Sequence, residues 1–220
     1  MKIYAVNGSP RKNHNTAILL QQALAGAKKA CQDTEIQTEI LHLYDLQYTG
    51  CRSCFACKRL DSPSYGSCAV KDDLKPVLQK LAHADAIIFG SPIYFGSITG
   101  QMKSLLERLL FPFLVYDATY SSIAPKKMPT AFIYTMNVPA AKMAEMGYPA
   151  TFNRIEFYIG RILSRPLSLQ ANDTYQFDDY SKYKADGFSA AEKAKQRETV
   201  FPIDCQKAFA LGKQLLHPQR

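Results

Sequence analysis

Short apolar runs of strand length alternate along this chain with longer segments whose apolar residues recur every three or four positions. Lys2–Val6, Ile36–Leu43, Ala86–Gly90, Thr130–Thr135 and Leu167–Gln170 read as strands. Between and after them, helical spacing runs from Asn15 to Cys31 (Leu20, Ala23, Leu24, Ala27 and Cys31 on one face). It returns over Asp72–Ala82, through Met102–Leu110 up to Pro112, over Pro149–Leu163 and over Ile203–Leu216. Strand-helix alternation of this kind predicts a doubly wound α/β sheet of five parallel strands joined by right-handed crossovers. The unbroken run Ala-Ile-Ile-Phe-Gly at 86–90 is what a strand covered on both faces requires.

Composition narrows the class further. A chain of 220 residues that is 47% apolar, with 13 Tyr and 12 Phe, can bury a core and is not a disordered polymer. Its longest apolar run, Leu109–Tyr116, contains Pro112 and falls far short of the roughly 20 residues a membrane span needs. Residues 1–8 are too short and polar for a secretory signal and read as a strand, so the expected location is cytoplasmic. The net charge of +8 is spread along the chain without basic blocks interleaved with aromatics, which speaks against nucleic-acid binding. No internal repeat is visible, and His14, His42, His83 and His217 form no Cys/His or Ser/His constellation.

In open α/β sheets, ligands bind beyond the carboxyl ends of the strands where strand order reverses. The segments after the first and third strands are therefore the informative ones. The first is Gly8-Ser-Pro-Arg-Lys-Asn-His-Asn-Thr16, which leads into a helix N-terminus, where unpaired N–H groups and the dipole favour an anion. Ser9 and Thr16 add hydroxyls, Asn13 and Asn15 amides, and Arg11 a guanidinium, an inventory suited to a phosphate monoester. Neither a Gly-x-Gly-x-x-Gly fingerprint nor a Gly-Lys-Ser/Thr P-loop is present. The second segment, Gly90-Ser-Pro-Ile-Tyr-Phe-Gly-Ser-Ile-Thr-Gly100, sets two aromatics beside glycines at the exit of a buried strand. Such a loop suits a planar heterocycle or a neighbouring subunit.

These two segments resemble the phosphate and isoalloxazine loops of the flavodoxin-like NAD(P)H-dependent FMN reductases. The resemblance implies one flavodoxin-like domain over 1–220 with sheet order 2-1-3-4-5. It would carry a cysteine-rich insertion at 48–70 and a C-terminal extension at 173–220. It further implies that Ser9, Arg11, Asn13, Asn15 and Thr16 hold the FMN phosphate and ribityl chain, that Pro92, Ile93, Tyr94, Phe95 and Gly96 line the flavin ring, and that Thr135 and Asn137 add contacts. NAD(P)H would be the electron donor and a small molecule the acceptor. No titrating catalytic residue is required, because the hydride chemistry belongs to the cofactor. The family also implies a homodimer or a dimer of dimers, for which Leu109–Tyr116 offers apolar surface.

Four of the six cysteines fall between positions 51 and 68. Cys51, Cys54 and Cys57 stand at two-residue gaps, able to wrap a compact soft centre as a bacterial ferredoxin run begins to do. Structural zinc more often uses two separated Cys pairs, although a zinc-stabilised binding module stays open. With Cys68 the segment resembles the iron–sulfur flavoprotein branch of the same family, which implies an iron–sulfur cluster and a ferredoxin-type partner. The gap of ten residues between Cys57 and Cys68 is longer than in that branch. Free thiols, a reducible disulfide, or thiols lining the flavin pocket remain alternatives. Cys31 and Cys205 read as small core residues.

Overall fold

The computed structural model describes residues 1–31 and 35–216. The very end of the expected extension, with His217, lies outside the described residues. Five parallel strands form the sheet: β1 (Lys2–Asn7), β2 (Gln37–His42), β3 (Ala86–Tyr94), β5 (Thr130–Thr135) and β6 (Leu167–Ala171). A two-residue strand, β4 (Ser97–Ile98), folds back antiparallel on the end of β3. The order β2-β1-β3-β5-β6 is the expected 2-1-3-4-5 of a flavodoxin-like sheet once the antiparallel β4 is set aside.

Side-chain alternation assigns each residue of a strand to one layer or the other. In β1, Tyr4 and Val6 face a core shared with α2 (Leu74–Ala82), α3 (Gly100–Leu110) and α4 (Tyr148–Ile162). Ile3 and Ala5 face α1 (Asn15–Ala30) and α6 (Phe201–Leu216) on the opposite side. The latter two helices pack backbone to backbone. A Cβ on Gly26 would lie 1.9 Å from the Phe209 carbonyl oxygen, and one on Gly212 would lie 1.8 Å from that of Ala23.

Two differences from the sequence expectations have clear causes. β3 continues past Gly90 to Tyr94, because Ser91 and Pro92 keep register with Tyr134 and Thr135 of β5. Pro92 is tolerated there since the pairing of β1 with β3 ends at Gly90, leaving no ladder partner for the missing N–H on that side. A charged helix, α5 (Ala190–Thr199), lies in the extension; it lacks an apolar stripe, but Ser189 caps it by accepting from the Glu192 N–H at 3.2 Å. The Ser-x-x-Glu spacing was its sequence signal. Within 109–116, Leu109, Leu110, Pro112 and Phe113 are buried in the chain's own core, while Tyr116 is 60% exposed. Among the described residues no helix is long and apolar enough to cross a membrane.

Candidate functional site

The segments after β1 and β3 are held together at their roots. The Gly8 N–H donates to the Gly90 carbonyl at 2.8 Å, and the Thr99 hydroxyl donates to the Gly8 carbonyl at 2.9 Å. Thr99 also caps α3 by accepting from the Met102 N–H, and its own N–H donates to the buried Ser91 hydroxyl at 3.1 Å. A Cβ at Gly8 would lie 3.1 Å from both Gly90 O and Met102, so the two loops meet closely here.

From there the chain turns through two local bonds, Ser9 N–H to Asn7 Oδ1 at 3.0 Å and Arg11 N–H to Ser9 Oγ at 3.2 Å. Burial pushes the His42 pKa down, the nearby Asp45 charge opposing, and the neutral ring accepts from the Asn7 amide at 3.1 Å. α1 then begins at Asn15 with His14 as its N-cap. His14 makes no side-chain cap bond and the first turn holds no acidic residue. The opening N–H groups of α1 thus have no side-chain cap and present positive potential beside Arg11 and the exposed Asn13.

The other candidate residues of this loop make contacts that its local sequence does not reveal. Thr16 and Thr135, both buried, share a hydroxyl hydrogen bond of 2.8 Å that ties α1 to the end of β5. Asn15 donates to the Tyr175 carbonyl at 2.8 Å, and Arg11 to the Gln176 carbonyl at 2.6 Å. Arg197 of α5 donates to Asn15 Oδ1 at 3.0 Å while its guanidinium lies 4.1 Å over the Phe201 ring. Asn137 accepts from the buried ammonium of Lys193, which also pairs with Asp173. The C-terminal extension is therefore laid across the first loop. Arg11 and Arg197 meet only neutral acceptors, with no carboxylate partner among the described residues.

Tyr94-Phe95-Gly96-Ser97 makes a two-residue hairpin turn between β3 and β4. Phe95 (φ 48°) and Gly96 (φ 79°) both occupy the left-handed region, the pattern that matches strand twist in such turns. Glycine accepts that conformation readily and phenylalanine does not. Phe95 is nevertheless held there with its side chain fully exposed, and Tyr94 is 44% exposed beside it. Pro92 and Ile93 are half-buried at the base of the hairpin, and Gly96 backs onto Tyr148. A strained, solvated aromatic at a binding edge is a feature packing alone does not call for.

Cys51, Cys54, Cys57 and Cys68 all line one cavity of about 20 Å³, together with Arg108, Phe111 and Pro112. None is in a disulfide. Left-handed backbone at Ser53 and Phe55 turns the chain between the first three thiols. The long gap before Cys68 closes on itself where the Gly66 N–H reaches the Cys57 carbonyl at 3.1 Å, returning Cys68 to the cluster. Arg108, without solvent exposure, fastens both ends of the segment through Thr49 O (3.0 Å), Val70 O (3.3 Å) and the Asp72 carboxylate, and its Nε–H points at Cys68 Sγ, 3.3 Å away. Burial pushes the Cys57 thiol up, with Lys58 opposing. Among the described residues no three Cys, His, Asp or Glu side chains are grouped as a single metal ion would require. A cluster, by contrast, sets its cysteine sulfurs apart around a body of several atoms.

A parallel sheet in this order, with an anion-type helix N-terminus after β1 and an aromatic hairpin after β3, defines a flavodoxin-like protein. Residues 1–137 match the family model of the NADPH-dependent FMN reductases, and the chain belongs to that family. Among curated proteins it is 42% identical over 108 residues to an iron–sulfur flavoprotein of Archaeoglobus fulgidus, covering 49% of this chain and 48% of that protein. It is 38% identical over 108 residues to one of Methanocaldococcus jannaschii, covering 49% and 51%. The chain spans about half the length of the curated relatives it matches. Over its full length the fold is similar to a solved NAD(P)H:quinone oxidoreductase from Methanothermobacter marburgensis, with a TM-score of 0.69, 12% identity and coverage of 100% and 99%.

Proposed function

We propose that this chain is an FMN-dependent oxidoreductase that passes electrons from NAD(P)H to a small-molecule acceptor such as a quinone or a free flavin. The observation that carries this reading is the junction of the two loops. An unneutralised anion site at the N-terminus of α1 and a solvated aromatic hairpin leave adjacent strands and are bonded to each other through Gly8 and Gly90. That pairing fits a ligand with one phosphate tail and one flat, acceptor-rich head.

When bound, FMN supplies the hydride-accepting and electron-donating chemistry. The chain's own residues bind and orient it. Ser9, Arg11, Asn13 and the opening N–H groups of α1 would hold the phosphate. Pro92, Ile93 and the Tyr94–Gly96 turn would line the ring, with Phe95 shielding one approach from water. Thr16 and Thr135 share one hydroxyl hydrogen bond, which leaves the accepting hydroxyl its own O–H for the ligand, and Asn137 accepts from Lys193, so these three also fix loop positions around it. The purified protein is expected to show flavin bands in its visible spectrum, or to take up FMN on reconstitution and bleach with NADH or NADPH. A colourless chain that takes up no FMN refutes the reading.

The cysteine cavity favours a second reading, an iron–sulfur flavoprotein working as an electron carrier with a ferredoxin-type partner. Four thiols on one cavity, a buried N–H aimed at Cys68 and the curated relatives' names support it. Iron and acid-labile sulfide in anaerobically prepared protein, with flavin reduction by a protein donor rather than by NAD(P)H, would select it. Rapid flavin reduction by NAD(P)H alone would select the first.

A further inference from the structure

We propose that Arg197, carried in by α5 of the C-terminal extension, is a second guanidinium ligand for the anionic tail of the bound nucleotide, with Asn15 as the residue that positions it. The inference rests on the FMN reading above and assigns part of the phosphate grip to a segment more than 180 residues from the phosphate loop.

Asn15, by position, is a candidate to touch a phosphate directly. Its amide is instead engaged on both sides, donating to Tyr175 O and accepting from Arg197 Nη1. What Asn15 does there is place a guanidinium beside the first turn of α1. Phe201 backs the same group at 4.1 Å and fixes its plane, leaving further N–H donors of the fork unspent.

Charge balance supplies the independent argument. Lys12 pairs with Asp45 and Lys193 with Asp173, yet neither Arg11 nor Arg197 faces a carboxylate among the described residues. Arg197 touches the side chain of the first residue of a helix that has no side-chain cap and no acidic residue in its first turn, and Arg11 lies in the loop that leads into that helix. Guanidinium groups without carboxylate partners near the positive end of a helix add to a potential that favours an anion there. A phosphate dianion removes that imbalance and accepts charge-assisted hydrogen bonds from both.

The test compares FMN with riboflavin, which has the same ring and ribityl chain but no phosphate. Apo-protein and its Arg197→Gln and Arg197→Lys variants are titrated with each ligand by flavin fluorescence. Thermal melts of the apo forms establish that the variants fold. Arg197→Gln is expected to weaken FMN at least about tenfold and leave riboflavin unchanged, and Arg197→Lys to restore part of the loss. The salt dependence of FMN affinity is expected to flatten in Arg197→Gln alone. Unchanged FMN affinity in a folded variant overturns the proposal, and so does an equal loss for both ligands, which would make Arg197 a mere strap. Wild-type protein that binds neither ligand would defeat the flavin reading and this inference with it, whereas the other two outcomes defeat the inference alone.

Discussion

Arg108 donates to both carboxylate oxygens of Asp72, at 2.5 and 2.9 Å, from a side chain with no solvent exposure. The same guanidinium holds the carbonyls of Thr49 and Val70, so one buried cation closes the cysteine segment at both ends. Removing one partner of such a pair leaves an uncompensated charge in the core. Asp72→Ala is expected to cost about 3–5 kcal/mol, read from urea denaturation. It should also speed alkylation of Cys57, which is 8% exposed in the intact segment. Unaltered stability would show that the pair does not hold the segment.

The same pair sets an acid limit. Burial pushes the Asp72 carboxyl up, but the hydrogen bonds and charge of Arg108, with the Leu74 N–H, outweigh it and leave its pKa below the ordinary 3.8. The unfolded chain therefore takes up this proton more readily than the folded one. The stabilisation is fully present above about pH 4 to 5 and is lost as pH falls through the folded value. Denaturation midpoints should hold steady from neutrality to about pH 5 and fall below about pH 4. In Asp72→Asn the acid fall should be shallower. An identical acid slope in the two proteins would assign the loss to other carboxylates.

Phe95 sits at φ 48° with nothing packed on its side chain. Phe95→Gly is expected to leave apo-protein stability unchanged or raised by up to about 1 kcal/mol, because glycine accepts the left-handed turn without strain. FMN affinity or NAD(P)H turnover should fall, since the variant lacks the aromatic face. A lower melting temperature with unaltered flavin binding would make Phe95 a packing residue instead.

Where α1 meets α6 the backbones are too close for any side chain. A Cβ at Gly26 would collide with the main chain of Phe209, which has no flexible end to swing away. Gly26→Ala is expected to cost about 3 kcal/mol or more by chemical denaturation. Gly187, with open space around its position, serves as the control. Comparable losses at both sites would refute the close-packing account.

Much of the architecture could be read before any coordinates. Apolar runs such as Ala86–Gly90 and helical spacing such as Leu20-Ala23-Leu24-Ala27 are local patterns, and they locate the five parallel strands and the helices that cover them. The two loops that begin at Gly8 and Gly90 and the Cys51–Cys57 spacing were equally visible, since turn chemistry and thiol clustering depend on sequence neighbours. α5 was missed because its residues are charged all round, and only the Ser189-x-x-Glu192 signature marked its start. The end of β3 was missed because Pro92 argues against a strand unless the ladder on one side is known to have stopped.

By itself, then, the sequence determined the alternation of elements, the two loops that lie at the sheet's carboxyl edge, and the gathering of four thiols in one segment. The tertiary structure alone decided which partners those groups take: Thr16 with Thr135, Arg11 with Gln176, Asn15 with Arg197, Cys68 with Arg108. The reason is physical. Periodicity and turn preference act between residues a few positions apart, whereas hydrogen bonds across 40 to 182 positions exist only after packing has set two segments side by side. Here the close seating of α6 on α1 brings the extension to the first loop and places Arg197 there.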